Sequence, residues 1–335
     1  MPLLRIGVLG AAGIAPQAII RPASRRDDVV IAAVASRSER SATAYARANA
    51  IPVAHVGYQA LVDDESIELV YNALPPSEHA RWSIAAMESG KHVLCEKPIS
   101  MNAVEAKEMA VVAARTGRHL IEAFHDRYHP LSDYLVKIRQ SGQLGQLLSL
   151  HAHFTVTIPF DPLSIRHDPA LGGGALMDLG CYPVHWIRVF VGEEPEILTA
   201  SYHPNAMGAD ETIESTLRFP SGAEATVLAS MAPEQMFSAS FVVKGTGGTL
   251  EVENPVLPHN GHSVRITTAG LLRTLTIGGD ETYDYQLAAV VRAVTSGAAL
   301  PTESADFIAN MTAIDAIYRA AGLDRGTCRR SASRV

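Results

Sequence analysis

Residues 5–16 read RIGVLGAAGIAP: an apolar run that ends on Gly10, a turn of small residues, and a proline placed to open a helix. A strand that feeds a helix through such a turn is the opening of a dinucleotide-binding βαβ unit. The first glycine makes the turn. The second small position lets a pyrophosphate approach the backbone, and the third lets helix and strand pack closely. The phosphates then meet the N–H groups at the helix start. Gly10, Ala12 and Ala15 stand at these positions, with Gly13 and Ile14 between them. Alanine at the middle position departs from the glycine fingerprint, so the loop takes its meaning from what surrounds it.

Working outward, the strand–helix pattern repeats. Val29–Ala35, Leu69–Ala73, His92–Cys95 and His119–Phe124 are short apolar runs. Helical stretches follow over Glu39–Ala50, from Pro76 through Met87, and over Asn102–Arg115; the first, Pro16–Ile20, reads as broken by Pro22. Buried strands alternating with helices predict a parallel sheet covered on both faces. After about residue 125 the strands lengthen, from Leu147–Ile158 to Leu272–Ile277, and FPSGAE at 219–224 is a hairpin signal. Two helices, Tyr285–Ser296 and Ser304–Ala321, close the pattern, and an arginine-bearing tail after Gly322 reads as frayed. The expected class is α/β: a Rossmann dinucleotide-binding domain over 1–124, then a second α/β domain over 125–335 with a large, mostly antiparallel open sheet. Two domains also suit 335 residues at roughly 150 per domain.

Composition removes several function classes. The net charge is −7 and only 19% of residues are charged, with no basic stripe for nucleic acid. No apolar run reaches the ~20 residues of a membrane-spanning helix. Arg5 interrupts what would be the apolar core of a secretion signal, so the expected location is the cytoplasm. Cys95, Cys181 and Cys328 are widely spaced, which reads as inert thiols in a reducing compartment. His125/His129 and His151/His153 have ligand-like spacings but lack a third partner nearby, so no metal is expected. Only five of the 28 basic residues are lysines, which makes each lysine worth attention.

The second strand bears on the choice of nucleotide. An NAD site places an acid at that strand's carboxyl end. Asp27 and Asp28 precede the strand, at its wrong end, and Ser36-Arg37-Ser38 follows it. Hydroxyls with a guanidinium suit a phosphate dianion, so NADP(H) is expected over NAD(H). A plainer alternative has Arg37 stacked on adenine or facing solvent.

GKHVLCEKPIS at 90–100, with GAAGIA at 10–15, YNALPPSEHA at 71–80 and LGGGALMDLGCYPVHW at 171–186, resembles the Gfo/Idh/MocA oxidoreductases along essentially the whole chain. The branch it looks most like contains glucose-fructose oxidoreductase, dimeric dihydrodiol dehydrogenase, NADP-dependent xylose dehydrogenase and sugar 3-ketoreductases. Inositol-dehydrogenase-like members carry D-x-x-x-H where this chain has Asp178-Leu-Gly-Cys-Tyr182. The resemblance implies hydride transfer between a nicotinamide and a sugar, polyol or cyclic diol, with Lys97 and Tyr182 as the catalytic pair and a cis peptide before Pro98. It also implies a homodimer or homotetramer formed through the outer face of the open sheet, which would otherwise leave an apolar patch in water.

The chemistry of that pair is coherent. A phenol titrates near ~10, and a nearby ammonium lowers that value. Lys97 would therefore activate Tyr182, or itself hold the reacting oxygen. Asp178 would orient substrate or Lys97. The expected cofactor contacts are Gly10, Ala12, Gly13, Ile14, Ala15, Ser36, Arg37, Leu74, Pro75, His79, Glu96 and Lys97. The expected substrate contacts are His125, Arg127, Arg166 and His185. Bland alternatives stay open: Lys97 as a solvated turn residue, Tyr182 as a core aromatic, His79 as a helix-start hydrogen bonder, His185 as a buried, satisfied ring. Two other functions also stay open, a redox-neutral glycoside-cleaving enzyme with a bound nicotinamide and a non-catalytic NADP(H)-sensing regulator.

Overall fold

The structure, a computed structural model, describes residues 3–323. Strands β1 (Leu4–Leu9), β2 (Val29–Ser36), β3 (Val53–Val56), β4 (Leu69–Asn72), β5 (His92–Cys95) and β6 (Leu120–Glu122) form a parallel sheet in the order β3-β2-β1-β4-β5-β6. The strand order reverses between β1 and β4, and a crevice opens there at the carboxyl ends, where ligands bind in such sheets. The helices are α1 (Arg21–Ser24), α2 (Glu39–Ala48), α3 (Tyr58–Val62), α4 (Pro76–Glu88) and α5 (Ala103–Thr116). Asn102 caps α5 by accepting from the Val104 and Glu105 amides, and Gly117 ends it in the left-handed region. Pro22 does not break the first helix. A π-helical turn over Pro16–Ile20 runs directly into α1, and Pro22 lies at its start, where a missing N–H is tolerated.

Helix α6 (Pro130–Gln140) leads into the second sheet. Its strands are β7 (Leu147–Thr155), β8 (Glu196–Pro204), β9 (Asp210–Arg218), β10 (Glu224–Ser230), β11 (Ser238–Gly245), β12 (Gly248–Glu253), β13 (Ser263–Thr268) and β14 (Leu271–Leu275). They lie in the order β14-β13-β12-β11-β7-β10-β9-β8, and only β7 and β10 run parallel. Helix α7 (Cys181–Val191) packs on β7. The outer face is mixed rather than uniformly apolar. Leu150, Ala152, Val227 and Phe241 turn inward, while the outer face carries His151, His153, Thr226, Ser240, Glu251 and Arg265. Polar groups there pair among themselves, His151 with Thr226 and Arg265 with Glu251, beside the apolar side chains of Leu228, Val242 and Leu272.

The chain then returns to its beginning. Helix α8 (Thr282–Ser296) lays Tyr283, Leu287, Val290 and Val291 on the same face of the first sheet as Ile6, Val8 and Ile31. Helix α9 (Ser304–Ala320) packs between α5, α7 and β8. A boundary at 124/125 therefore separates the two sheets but not the two cores. Among the described residues no helix is long and apolar enough to cross a membrane. Cys328 and the arginine-bearing tail lie outside the described residues, apart from Leu323.

Candidate active site

Strand β5 delivers Glu96-Lys97-Pro98 at its carboxyl end, and the Lys97–Pro98 peptide is cis. Neighbours fasten this turn from three sides. His79 places Nδ1 2.9 Å from the Pro98 carbonyl oxygen and Nε2 2.7 Å from that of Leu74. The Ile99 amide donates to Glu122 Oε1 at 2.8 Å, and the Tyr71 hydroxyl donates to Glu96. Burial pushes the carboxyl groups of Glu96 and Glu122 above the usual carboxylate range.

A π-helical turn over Leu176–Gly180, running into α7, supplies Asp178 and Tyr182. Lys97 Nζ donates to the Asp178 main-chain oxygen at 2.6 Å and lies 3.3 Å from its Oδ1. Arg166 Nε meets Asp178 Oδ2 at 2.8 Å. The Lys97 ammonium lies 5.1 Å from the centre of the Tyr182 ring. Glycine makes the crossing between the sheets possible. Gly172 has φ +93°, and a Cβ there would lie 2.5 Å from Pro76 at the start of α4.

Two electrostatic settings result. Burial works against the charge on Lys97, but Asp178, Cys181 and Glu96 outweigh it and raise its value. Burial likewise opposes ionisation of Asp178, yet Lys97 and Arg166 hold it below the usual range. Around Tyr182 nothing offsets burial, which carries the phenol well above its ordinary value. The ammonium is committed to Asp178, and the phenol stays protonated at neutral pH.

Tyr182 Oη lies 3.1 Å from His125 Nε2, and His125 Nδ1 lies 2.8 Å from Thr282 Oγ1. Burial, with the Lys97 charge, pulls His125 down to about 3. Burial also lowers His79 to about 4 and raises the thiols of Cys95 and Cys181, both free and buried.

The glycine loop fits a dinucleotide. Gly10 has φ +96°, donates its amide to Ala35, and leaves only 3.1 Å between a would-be Cβ and Leu74. The amides of Ala12, Gly13 and Ile14 have no acceptor among the described residues, whereas Ala15 N bonds Ala12 O and its side chain is fully buried. Three open amides beside the crevice suit a pyrophosphate. Leu74 and Pro75 form the facing wall at the start of α4. Ser36 is buried at the end of β2, and Arg37 is exposed with no ion pair among the described residues. Asp28 lies at the opposite end of β2, paired with Arg26.

Not every expected residue joins this cluster. Arg127 reaches away from it to Ser132 and Asp133 on α6. His185 stacks on Phe124 at 4.3 Å and bonds Asp306 at 3.0 Å. His79 has both ring nitrogens on backbone carbonyls, so its place is beneath the turn. His129 caps α6 through the Leu131 amide. Among the described residues no group of three or more His, Cys, Asp or Glu side chains could hold a metal ion.

The Gfo/Idh/MocA Rossmann model, described as an oxidoreductase family with an NAD-binding Rossmann fold, matches residues 4–124, and the family's C-terminal domain model matches 133–251. A D-xylose 1-dehydrogenase (NADP(+)) from Haloferax volcanii is 35% identical over 95% of the chain and 97% of its own length. The chain belongs to the Gfo/Idh/MocA oxidoreductase family. Within it, a trans-1,2-dihydrobenzene-1,2-diol dehydrogenase from Macaca fascicularis is 33% identical over 69% of the chain and 68% of its own. Among solved structures, a 3-ketoreductase from Actinomadura kijaniata with NADP and TDP-benzene superposes with a TM-score of 0.88 at 25% identity. That match covers 95% of this chain and 98% of the other.

Two residues of this Gfo/Idh/MocA site escape sequence reading. Thr282 lies 157 positions from His125 and no local motif links them. Tyr283, whose ring centre is 4.2 Å from that of His125, reads as an ordinary core aromatic at the start of a helix.

Proposed function

We propose that the chain is a cytoplasmic NADP(H)-dependent oxidoreductase that interconverts a hydroxyl and a carbonyl on a sugar, polyol or cyclic diol, with Lys97 and Tyr182 as its catalytic pair. The observation that carries this reading is a charged lysine and a protonated phenol brought together from β5 and α7 beside the open amides of the glycine loop. The NADP of the Haloferax enzyme's name and the exposed Arg37 support the choice of cofactor.

Ala12, Gly13 and Ile14 would hold the pyrophosphate, and Ser36 with Arg37 the 2′-phosphate. The nicotinamide, when bound, supplies or accepts the hydride. Lys97 stabilises negative charge as it develops on the substrate oxygen, because Asp178 keeps the ammonium charged and aimed. Tyr182 donates its proton to that oxygen in reduction, and in oxidation its phenolate takes up the proton that the substrate hydroxyl releases. Asp178 and Arg166 have oxygens and nitrogens left to read neighbouring hydroxyls. The same reading includes a homodimer or homotetramer, formed through the outer face of the second sheet, where polar groups are mixed with Leu228, Val242 and Leu272.

The test is a panel assay by nicotinamide fluorescence. NADP+ and NAD+ are offered with D-xylose, D-glucose, myo-inositol and trans-dihydrodiols, and NADPH with the matching ketones, using wild type and Arg37→Ala. We expect turnover with one substrate class, mainly with NADP+, and a KM for NADP+ raised about tenfold in the variant, the scale of one lost charge-assisted contact. Tight NADP(H) binding without turnover would overturn the reading in favour of a sensor or a redox-neutral enzyme.

A further inference from the structure

We infer that His125 is a positioning residue that fixes which way the hydroxyl of Tyr182 points. The inference rests on the assignment of Tyr182 above. The imidazole is 3% exposed and held on two sides: Thr282 Oγ1 at 2.8 Å from Nδ1, and the Tyr283 ring 4.2 Å from its centre. Its remaining nitrogen, Nε2, lies 3.1 Å from Tyr182 Oη, and no other partner of that oxygen is found among the described residues.

Donor and acceptor counting then sets the tautomer. Both hydroxyls can donate or accept, but a phenol is the stronger donor, so we assign its hydrogen to Nε2 and the ring hydrogen to Nδ1, which donates it to Thr282. Only a neutral ring can do this. Burial and the nearby Lys97 charge keep it neutral throughout the working range. A phenol hydrogen lies in the plane of its ring and has two orientations. His125 stabilises the one that turns the hydrogen away from the cleft and leaves the Oη lone pairs for a substrate hydroxyl. A carbonyl substrate must pull that hydrogen off Nε2 into its own hydrogen bond.

The first test needs no substrate. In nitrogen-15 spectra of histidine-labelled protein, with the resonance assigned through His125→Phe, we expect the neutral Nδ1–H form from pH 5 to 8. In Tyr182→Phe the Nε2 resonance should move toward that of an unbonded nitrogen. An Nε2–H tautomer, an imidazolium, or no change in Tyr182→Phe overturns the inference. The second test is kinetic, with D-xylose and NADP+ first and then the panel substrate that turns over. His125→Phe should lower kcat about tenfold or more with little change in KM, the scale of one lost hydrogen bond. His125→Gln, which restores an acceptor, should recover most of it. In a Tyr182→Phe background the His125→Phe effect should vanish. Effects that multiply instead would place His125 outside the action of Tyr182. A fully active Tyr182→Phe would sink the catalytic assignment while leaving the tautomer result to stand or fall alone.

Discussion

On one side of the cleft Lys97, Asp178 and Arg166 keep opposite charges in contact. On the other, Tyr182, His125 and Thr282 are uncharged groups joined by hydrogen bonds. Lys97 and Asp178, like Tyr182 and His125, are largely withdrawn from solvent, so burial alone does not decide the ionisation state. What differs is the partner. An ion beside a counter-ion survives desolvation, whereas a phenol beside an imidazole gains nothing from ionising. The arrangement separates two tasks, stabilising charge on the reacting oxygen and placing a proton beside it.

The largest expected effect comes from breaking the charged side. Lys97→Ala should lower kcat about 10²–10³-fold, the range for removing a preorganised charge stabiliser, while NADP+ still quenches or shifts tryptophan fluorescence with unchanged affinity. Turnover near wild type would show that the neutral side suffices alone. A smaller effect separates the sides by pH. Asp178 is depressed in the fold, so its contribution to stability is present above ~3.9 and lost as pH falls through its lower folded value. Lys97 is raised, so its contribution is present below ~10.4 and lost as pH rises through its folded value. Neither changes between about pH 5 and 9. His125 behaves otherwise: the unfolded ring binds a proton near ~6.5 and the folded ring resists until about 3, so stability falls with acid across that span. Urea melts of wild type and His125→Gln from pH 7 to 5 should show wild type losing stability relative to the variant, approaching ~1.4 kcal/mol per pH unit. The same comparison with Asp178→Asn should be flat. The smallest effect belongs to Arg166→Ala. Its side chain is half exposed, and an exposed ion pair is worth about 0–1 kcal/mol. The KM for the panel substrate should rise less than about fivefold.

The local parts of this site were legible in the sequence. Gly10 at the end of an apolar run and Glu96-Lys97-Pro98 at the end of another are contiguous, and strand ends in a parallel sheet share one edge. Less legible was β3, a four-residue strand at the sheet's edge whose residues are largely exposed, so it carries no buried run to read. The partners of Arg127 and His185 could not be read because position near a motif does not fix direction. His125 and His185 are both buried, yet one ring turns to Tyr182 and the other to Asp306. The outer face of the second sheet is less apolar than expected because most apolar residues along β7, β10 and β11 point inward, Leu228 and Val242 excepted. The anchoring of Lys97 by the main-chain oxygen of Asp178 could not be read at all, because that contact spans 81 positions.

The return of α8 to the first sheet has a consequence for the order of assembly. Ile6 and Val8 are made more than 270 residues before the helix that covers them, with Thr282 and Tyr283 at its start. A nascent chain can form the glycine loop and the lysine turn long before His125 has a partner. At ~5–20 residues per second, the interval between β1 and α8 is tens of seconds, with one face of the nucleotide sheet uncovered. The proton-placing side of the cleft is thus the last part to exist, and its completion coincides with closure of the first core.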